Sequence, residues 1–126
     1  MRWEVEYTDE FGQWWAELSE QEQISVAASV QLLEDRGPSL GFPHSSAING
    51  SKHSHMRELR TQHLGRPFRT LYAFDPLRNA ILLIGLRIPR ATGQRFHEDL
   101  DSDSMRIWTA IPRQSGHPLE RGLAGR

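Results

Sequence analysis

Hydrophobic and polar residues alternate over the first eight positions, which is the period of a half-buried β-strand. Trp3, Val5 and Tyr7 fall on one side of this predicted strand, and mostly charged residues fall on the other. The period then lengthens to that of a helix, because apolar residues recur every three or four positions over residues 11–18. We expect Asp9 to cap this first helix.

A second helix is predicted to begin directly after the first. Ser19 followed by Glu22 matches the capping box, in which each side chain accepts a hydrogen bond from the other residue's backbone amide. Gly37 and Pro38 end this helix, because glycine adopts the left-handed turn and proline cannot continue the hydrogen-bonding pattern. The apolar residues expected to face the core are Val26, Val30 and Leu33.

Three strands are predicted after a loop over residues 40–54. They cover residues 56–62, 67–75 and 79–86 and are joined by short turns, which predicts an antiparallel meander. In the middle strand Phe68, Thr70, Tyr72 and Phe74 point to one face, whereas Arg69, Leu71 and Ala73 point to the other. One strand, two helices and a meander predict an α+β fold with both helices on one face of the sheet.

The remainder of the chain contributes less to the predicted core. A final helix is expected over residues 95–100 and 105–111, so that the domain covers residues 1–112 and residues 113–126 form a disordered tail. The chain contains no cysteine, which excludes disulfides and thiolate nucleophiles and favours a cytoplasmic location. No apolar stretch is long enough to span a membrane, and the chain opens on a strand pattern instead of a signal peptide.

Charge is unevenly distributed along the chain, although the formal net charge is only −1. Residues 1–35 carry nine acids and one base, whereas residues 36–98 carry ten bases and three acids. A basic segment of this kind favours binding of a polyanion. The alternative is that the acidic helices and the arginine-rich strands simply pair with each other.

The basic residues of the meander are mainly arginines, whose planar guanidinium groups bind pairs of phosphate oxygens. We expect the hairpin register to gather three of them at one end of the sheet, with two more just beyond the third strand and a lysine in the preceding loop. The candidate phosphate ligands are Lys52, Arg60, Arg66, Arg69, Arg87 and Arg90.

RNA suits such a site because its 2′-hydroxyl is a built-in nucleophile that needs orientation, deprotonation and charge stabilisation. Candidates for the general acid or base are His63, His97 and Tyr72, although Tyr72 lies among aromatic neighbours that equally predict a core position. The histidines show no ligand spacing tied to a carboxylate, so neither a metal nor another cofactor is expected.

Four segments of the meander together resemble the RelE/ParE toxin superfamily, and most closely the HigB-like, phage-derived toxins of bacterial type II toxin–antitoxin systems. They are Met-Arg-Glu-Leu-Arg at 56–60, Gly-Arg-Pro-Phe-Arg at 65–69, Leu-Tyr-Ala-Phe-Asp-Pro at 71–76 and Ala-Ile-Leu-Leu-Ile-Gly at 80–85. The resemblance covers roughly residues 5–85. It implies a RelE-like fold and metal-independent cleavage of messenger RNA on the ribosome.

The resemblance also implies partners and site residues. The toxin would be inhibited by a cognate antitoxin, often with a helix-turn-helix domain, and would reach operator DNA only through that antitoxin. The catalytic strand arginines carry over to Arg60 and Arg69. After Gly85 the sequence departs from the family pattern, so that Arg87 or Arg90 stands for the usual basic residue and His97 for the usual tyrosine.

Two other functions stay open on the sequence alone. One is a non-enzymatic inhibitor of DNA gyrase, as in the ParE branch, which would depend on exposed helix residues such as Trp14 or Trp15 more than on strand arginines. The other is an inactive relative that keeps only its antitoxin-binding surface, an alternative that the altered segment after Gly85 favours.

Overall fold

The computed structural model describes residues 3–48, 56–88, 106 and 117–118. Within them the six strands form one sheet in the order β2-β3-β4-β5-β1-β6. Neighbouring strands are antiparallel except β1 and β5, which are parallel. The elements are β1 (Glu4–Tyr7), α1 (Asp9–Glu17), α2 (Glu20–Arg36), a 3-10 turn (Gly37–Ser39), β2 (Ser45–Ala47), β3 (Met56–His63), β4 (Arg66–Phe74), β5 (Asn79–Arg87) and β6 (His117–Pro118). The predicted α+β fold is confirmed.

Side chains at the helix starts satisfy backbone amides that would otherwise lack partners. The capping box of α2 is confirmed, with the Glu22 amide 3.2 Å from Ser19 Oγ and the Ser19 amide 2.8 Å from Glu22 Oε1. The prediction for α1 was wrong by one residue, because Thr8 and not Asp9 is the N-cap. The Thr8 hydroxyl accepts from the Phe11 amide and donates to the Leu83 carbonyl at 2.7 Å, which ties the start of α1 to β5.

The hairpin between β3 and β4 has a two-residue turn of Leu64 and Gly65. Both residues have positive φ angles, 52° and 79°, as a tight hairpin turn of this hand requires. This turn sets the register of the two strands, in which Arg60 lies opposite Arg69 and His63 lies opposite Arg66.

Apolar side chains form separate clusters on the two faces of the sheet. The helix-facing cluster includes the predicted α2 residues Val26, Val30 and Leu33, packed with Leu59, Phe68, Tyr72 and Leu82. The cluster on the other face, called here the open face, contains Ile48, Met56, Leu71, Ala73, Ile81 and Leu83, with Ile84 and Leu86 packed against them. Because neither α1 nor α2 contributes a residue to the second cluster, these two helices of the described part of the chain lie on one face of the sheet, as predicted.

Two segments predicted to be irregular each contain a short strand. The predicted loop over residues 40–54 contains the short strand β2, which pairs with β3. The expected final helix lies outside the described residues except for Arg106, which is helical. The segment expected to be disordered contributes β6, which pairs with β1, while the rest of it also lies outside the described residues.

Candidate functional site

Two of the predicted phosphate ligands meet on the open face of the sheet. Arg60 and Arg69 are directly paired across β3 and β4, and paired residues of antiparallel strands project from the same face. The next position on β5 in this row is Leu86, which packs against the open-face apolar cluster. Arg69 therefore lies beside apolar surface, where its electrostatic interactions are stronger than in bulk water.

A buried glutamate joins the two arginines. Glu58 Oε1 lies 3.3 Å from Arg60 Nη1 and 3.6 Å from Arg69 Nε. The same oxygen accepts a hydrogen bond of 3.2 Å from the hydroxyl of Ser46, the residue opposite Glu58 on β2. Arg60 also donates weakly to this hydroxyl, at 3.4 Å. Side chains from three neighbouring strands thus form one polar cluster, called here the Arg60–Arg69 site, which consists of Ser46, Glu58, Arg60 and Arg69.

The members of the site differ in their access to water. The side chain of Arg60 is 31% exposed, whereas those of Arg69 and Glu58 are 11% and 8% exposed. Burial lowers the pKa of Arg69, the positive charge of Arg60 lowers it further, and the Glu58 carboxylate opposes both effects. Because arginine stays protonated in proteins, the site has two positive charges against one negative charge and an excess of +1. It is suited to an anion that approaches from the Arg60 side.

Arg66 and Arg87 do not join this pair, contrary to the prediction. Arg66 pairs with His63 at the hairpin end, so strand alternation puts it on the helix-facing side. Arg87 lies opposite Phe68, with its guanidinium 5.5 Å from the centre of that ring. The Arg87 side chain forms an ion pair of 2.7 Å with Glu22 of α2, so it neutralises an acidic helix.

Two of the three acid–base candidates also lie on the helix-facing side. Tyr72 is fully buried, and its hydroxyl lies 2.5 Å from that of Ser45, which also accepts from Arg57 Nε. This placement fits the core position that its aromatic neighbours also predicted, and it separates Tyr72 from the two arginines. His63 is bonded through Nδ1 to the Ser25 hydroxyl at 2.7 Å and stacks on Phe68.

The remaining sequence candidates, Lys52, Arg90 and His97, lie outside the described residues. Glu58 was not predicted from the sequence, although its buried carboxylate stands in the same Glu-Leu-Arg segment as Arg60. Two neighbours on the loop before β2 were not predicted either. The ring of Phe42 lies 5.3 Å from the Arg60 guanidinium carbon, and the carbonyl of His44 accepts from the Arg60 amide at 2.8 Å.

The described residues include no group of three or more histidine, cysteine or acidic side chains arranged to hold a metal ion. None of the helices that they form is both long and apolar enough to cross a bilayer. The tryptophans of α1 pack inward: Trp15 is buried, and the ring of Trp14 lies so close to Gly85 that a Cβ there would be 2.2 Å from it. They therefore offer little exposed surface to a protein partner.

The chain is similar to known proteins of one bacterium. The chain is 43% identical over 72 residues to a Mycobacterium tuberculosis (strain ATCC 25618 / H37Rv) protein named "Putative toxin HigB3", which covers 57% of this chain and 61% of that protein. It is 48% identical over 59 residues to "Putative toxin HigB2" of the same organism, a match that covers 46% of this chain and 29% of that protein. The chain thus spans less than two thirds of either relative.

The family comparison covers more of the chain. A model of phage-derived Gp49-like proteins (DUF891) matches residues 13–87, more than half of the 126 residues and the whole of the Arg60–Arg69 site. Together with the two relatives, this match confirms the resemblance to HigB-like proteins drawn from the sequence. The chain belongs to the phage-derived Gp49-like family.

Proposed function

We propose that the protein is the toxin of a type II toxin–antitoxin system and that it cleaves messenger RNA on the ribosome without a metal ion. The observation that carries this proposal is the cross-strand pairing of Arg60 and Arg69 beside apolar surface. The names of the two relatives support the toxin assignment.

The chemistry requires a charge-stabilising site more than a bound cofactor. A base removes the proton of the 2′-hydroxyl, the oxygen attacks the adjacent phosphorus, and the bond from phosphorus to the 5′-oxygen breaks as an acid protonates that oxygen. The products are a 2′,3′-cyclic phosphate and a 5′-hydroxyl. Arg60 and Arg69 would bind the phosphate and stabilise the additional negative charge of the pentacoordinate transition state.

Histidines are the groups to test as acid and base. Tyr72 and His63 face the helices, so His97 remains the candidate from the sequence. His44 joins it, because its backbone carbonyl accepts a hydrogen bond from the Arg60 amide and its side chain is exposed. A bell-shaped dependence of cleavage on pH that loses one limb in His44→Gln or His97→Gln would assign the role.

An antitoxin is the proposed regulatory partner. It would have a helix-turn-helix domain, cover the Arg60–Arg69 site in the inhibited complex, and carry the operator-binding function. The acidic helices of this chain oppose direct binding of DNA phosphates on their side of the molecule. The ribosome and its messenger RNA would be the targets of the free toxin.

The test is cleavage of a defined messenger RNA in a purified translation system, mapped by primer extension. Wild-type protein is expected to cut only while ribosomes translate, and Arg60→Ala and Arg69→Ala are each expected to lose 10²-fold or more in rate, on the order of one oxyanion-hole donor. Arg66→Ala is the matched control, since it removes an exposed arginine of the same hairpin from the opposite face. Intact messenger RNA with wild-type protein, or equal losses in all three variants, would contradict the proposal.

The two alternative functions predict other outcomes. A gyrase inhibitor would induce the DNA-damage response without cutting messenger RNA, and a protein that only binds antitoxin would leave growth unaffected. No observation on the described residues favours either one, and the packed positions of Trp14 and Trp15 weigh against the first.

A further inference from the structure

Phe42 is exposed to solvent at the edge of the Arg60–Arg69 site. It is 77% exposed, and it is the one aromatic residue among the four large hydrophobic side chains that stand exposed in the described part of the chain. Of the other three, Leu64 and Leu77 lie in the hairpin turns, and Ile24 lies on α2.

The loop that carries Phe42 is held in place on both sides. Leu40 before it and Ser45 after it are buried. The carbonyl of Gly41 accepts hydrogen bonds from the amides of His44 and Ser45 at 3.0 and 3.1 Å. The loop is bonded to β3 through the Arg60 amide as well, so the exposed ring is presented by an ordered turn and loses little conformational freedom when it binds a ligand.

The ring and the arginine form a combined surface. The guanidinium carbon of Arg60 lies 5.3 Å from the centre of the Phe42 ring, within the range of a cation–π interaction. Most of the ring remains open to solvent, and Arg60 is itself partly exposed. A ligand that matches this surface has a flat, apolar group next to a negatively charged group.

An unpaired nucleotide has these two parts, because every base has a flat face and every sugar is joined to a phosphate. Single-stranded nucleic acids are bound in other proteins by aromatic rings on which bases stack, next to basic groups that contact the backbone. Bases inside a duplex are already stacked on their neighbours and cannot be laid on such a ring.

We propose that Phe42 is a stacking platform for the base adjacent to the phosphate bound by Arg60 and Arg69, and that it selects unpaired RNA. The proposal rests on the function proposed above and names the part of the substrate that the site recognises beyond its phosphate. Because stacking depends little on base identity, Phe42 would position the strand without setting a strong sequence preference.

The test measures binding of a fluorescein-labelled single-stranded RNA of mixed sequence to the full-length chain at low salt. Phe42→Ala is expected to weaken binding roughly 5- to 100-fold, and Phe42→Trp to retain it, in the range known for stacking of one base. Leu77→Ala is the matched control, because Leu77 is 70% exposed in a turn remote from the site and its removal should leave affinity unchanged.

Oligonucleotides with one abasic position, moved along the strand, provide the decisive comparison. For wild-type protein, an abasic residue at one position should reproduce the loss of RNA affinity caused by Phe42→Ala. The same abasic residue should cause no further loss of affinity in the Phe42→Ala variant. Additive losses, or equal affinity of wild type and Phe42→Ala, would overturn the proposal.

Two further outcomes separate this proposal from the function on which it rests. If Arg60→Ala and Arg69→Ala abolish cleavage while Phe42→Ala affects neither cleavage nor binding, the stacking proposal alone is wrong. If wild-type protein binds no RNA and cuts none during translation, both are wrong. If Phe42→Ala weakens the binding of a copurified antitoxin and leaves RNA affinity unchanged, the ring belongs to a protein interface and the proposal fails.

Discussion

Glu58 is the residue whose replacement tests the internal balance of the site. Its carboxylate contacts both arginines, at 3.3 and 3.6 Å, and is itself nearly buried. Glu58→Gln keeps the size of the side chain and removes its charge. The variant would leave two guanidinium groups opposite each other on paired strands without a counter-charge.

The expected cost follows from these distances. At an effective dielectric constant of about 20, Coulomb's law gives roughly 5 kcal/mol of attraction for each contact. Removing one partner of a fully buried ion pair costs about 3–5 kcal/mol once desolvation is included. Because Arg60 is 31% exposed and the amide can still accept a hydrogen bond, we expect a smaller loss, about 2–3 kcal/mol in the free energy of unfolding.

Chemical denaturation and thermal melting measure this loss. At roughly 4 °C per kcal/mol for a domain of this size, Tm should fall by about 8–12 °C. Added inorganic phosphate should restore more stability to Glu58→Gln than to wild type, because the anion takes the place of the missing carboxylate and binds only the folded state. Glu17→Gln, at an exposed glutamate near the end of α1, is the control and should change little.

Either of two results would contradict this role of Glu58. One is a Glu58→Gln variant as stable as wild type, which would mean that the arginines do not depend on this carboxylate. The other is an equal effect of phosphate on both proteins, which would mean that the anion does not bind where Glu58 now neutralises the site.

Three further predictions concern residues on the helix-facing side of the sheet. Gly85→Ala should cost about 2–3 kcal/mol in urea unfolding, because its Cβ would lie 2.2 Å from the Trp14 ring; a neutral effect would contradict this packing. Tyr72→Phe removes the hydrogen bond to Ser45 and should lower the free energy of unfolding by about 1–2 kcal/mol while cleavage activity stays unchanged. Loss of activity in a folded variant would mean that Tyr72 takes part in the cleavage reaction. The Glu22 carboxylate accepts hydrogen bonds, chiefly from the backbone amide of Ser19, and these lower its pKa below the ordinary value of 4.5. The contribution of Glu22 to stability is therefore complete above pH 4.5 and is lost as the pH falls through the folded-state pKa. Glu22→Gln should therefore flatten the stability profile in that acidic range, and an unchanged profile would count against it.

Local sequence signals predicted most of the framework. The capping box of α2 depends on neighbouring residues and formed as expected, and the hairpin predicted over residues 63–66 formed with the shorter turn of Leu64 and Gly65. The spacing of three between Arg66 and Arg69 already placed them on opposite faces of β4, so the expectation that they would converge was avoidable. Among the candidate phosphate ligands that the structure describes, only Arg60 lies on the same face as Arg69, because the two are directly paired.

Other features depend on contacts between distant segments, which no local pattern contains. A β-bulge in β5 leaves Leu83 without a paired residue on β4, and this reverses the alternation so that Arg87 turns towards α2. The strand β2 is only Ser-Ser-Ala, which lacks the apolar alternation of a strand and forms by pairing with β3. The Thr8 cap was favoured over Asp9 by its second bond to β5, which the sequence does not reveal.

The central claim is that Arg60 and Arg69 together bind an RNA phosphate, and the salt dependence of RNA affinity tests it most directly. Each phosphate contact contributes about 0.7 to the slope of log affinity against log salt for a single strand. Because both arginines contact one phosphate, the Arg60→Ala, Arg69→Ala double variant should have a slope shallower than wild type by about 0.7, and Arg66→Ala a smaller change. An unchanged slope in the folded double variant would contradict the claim.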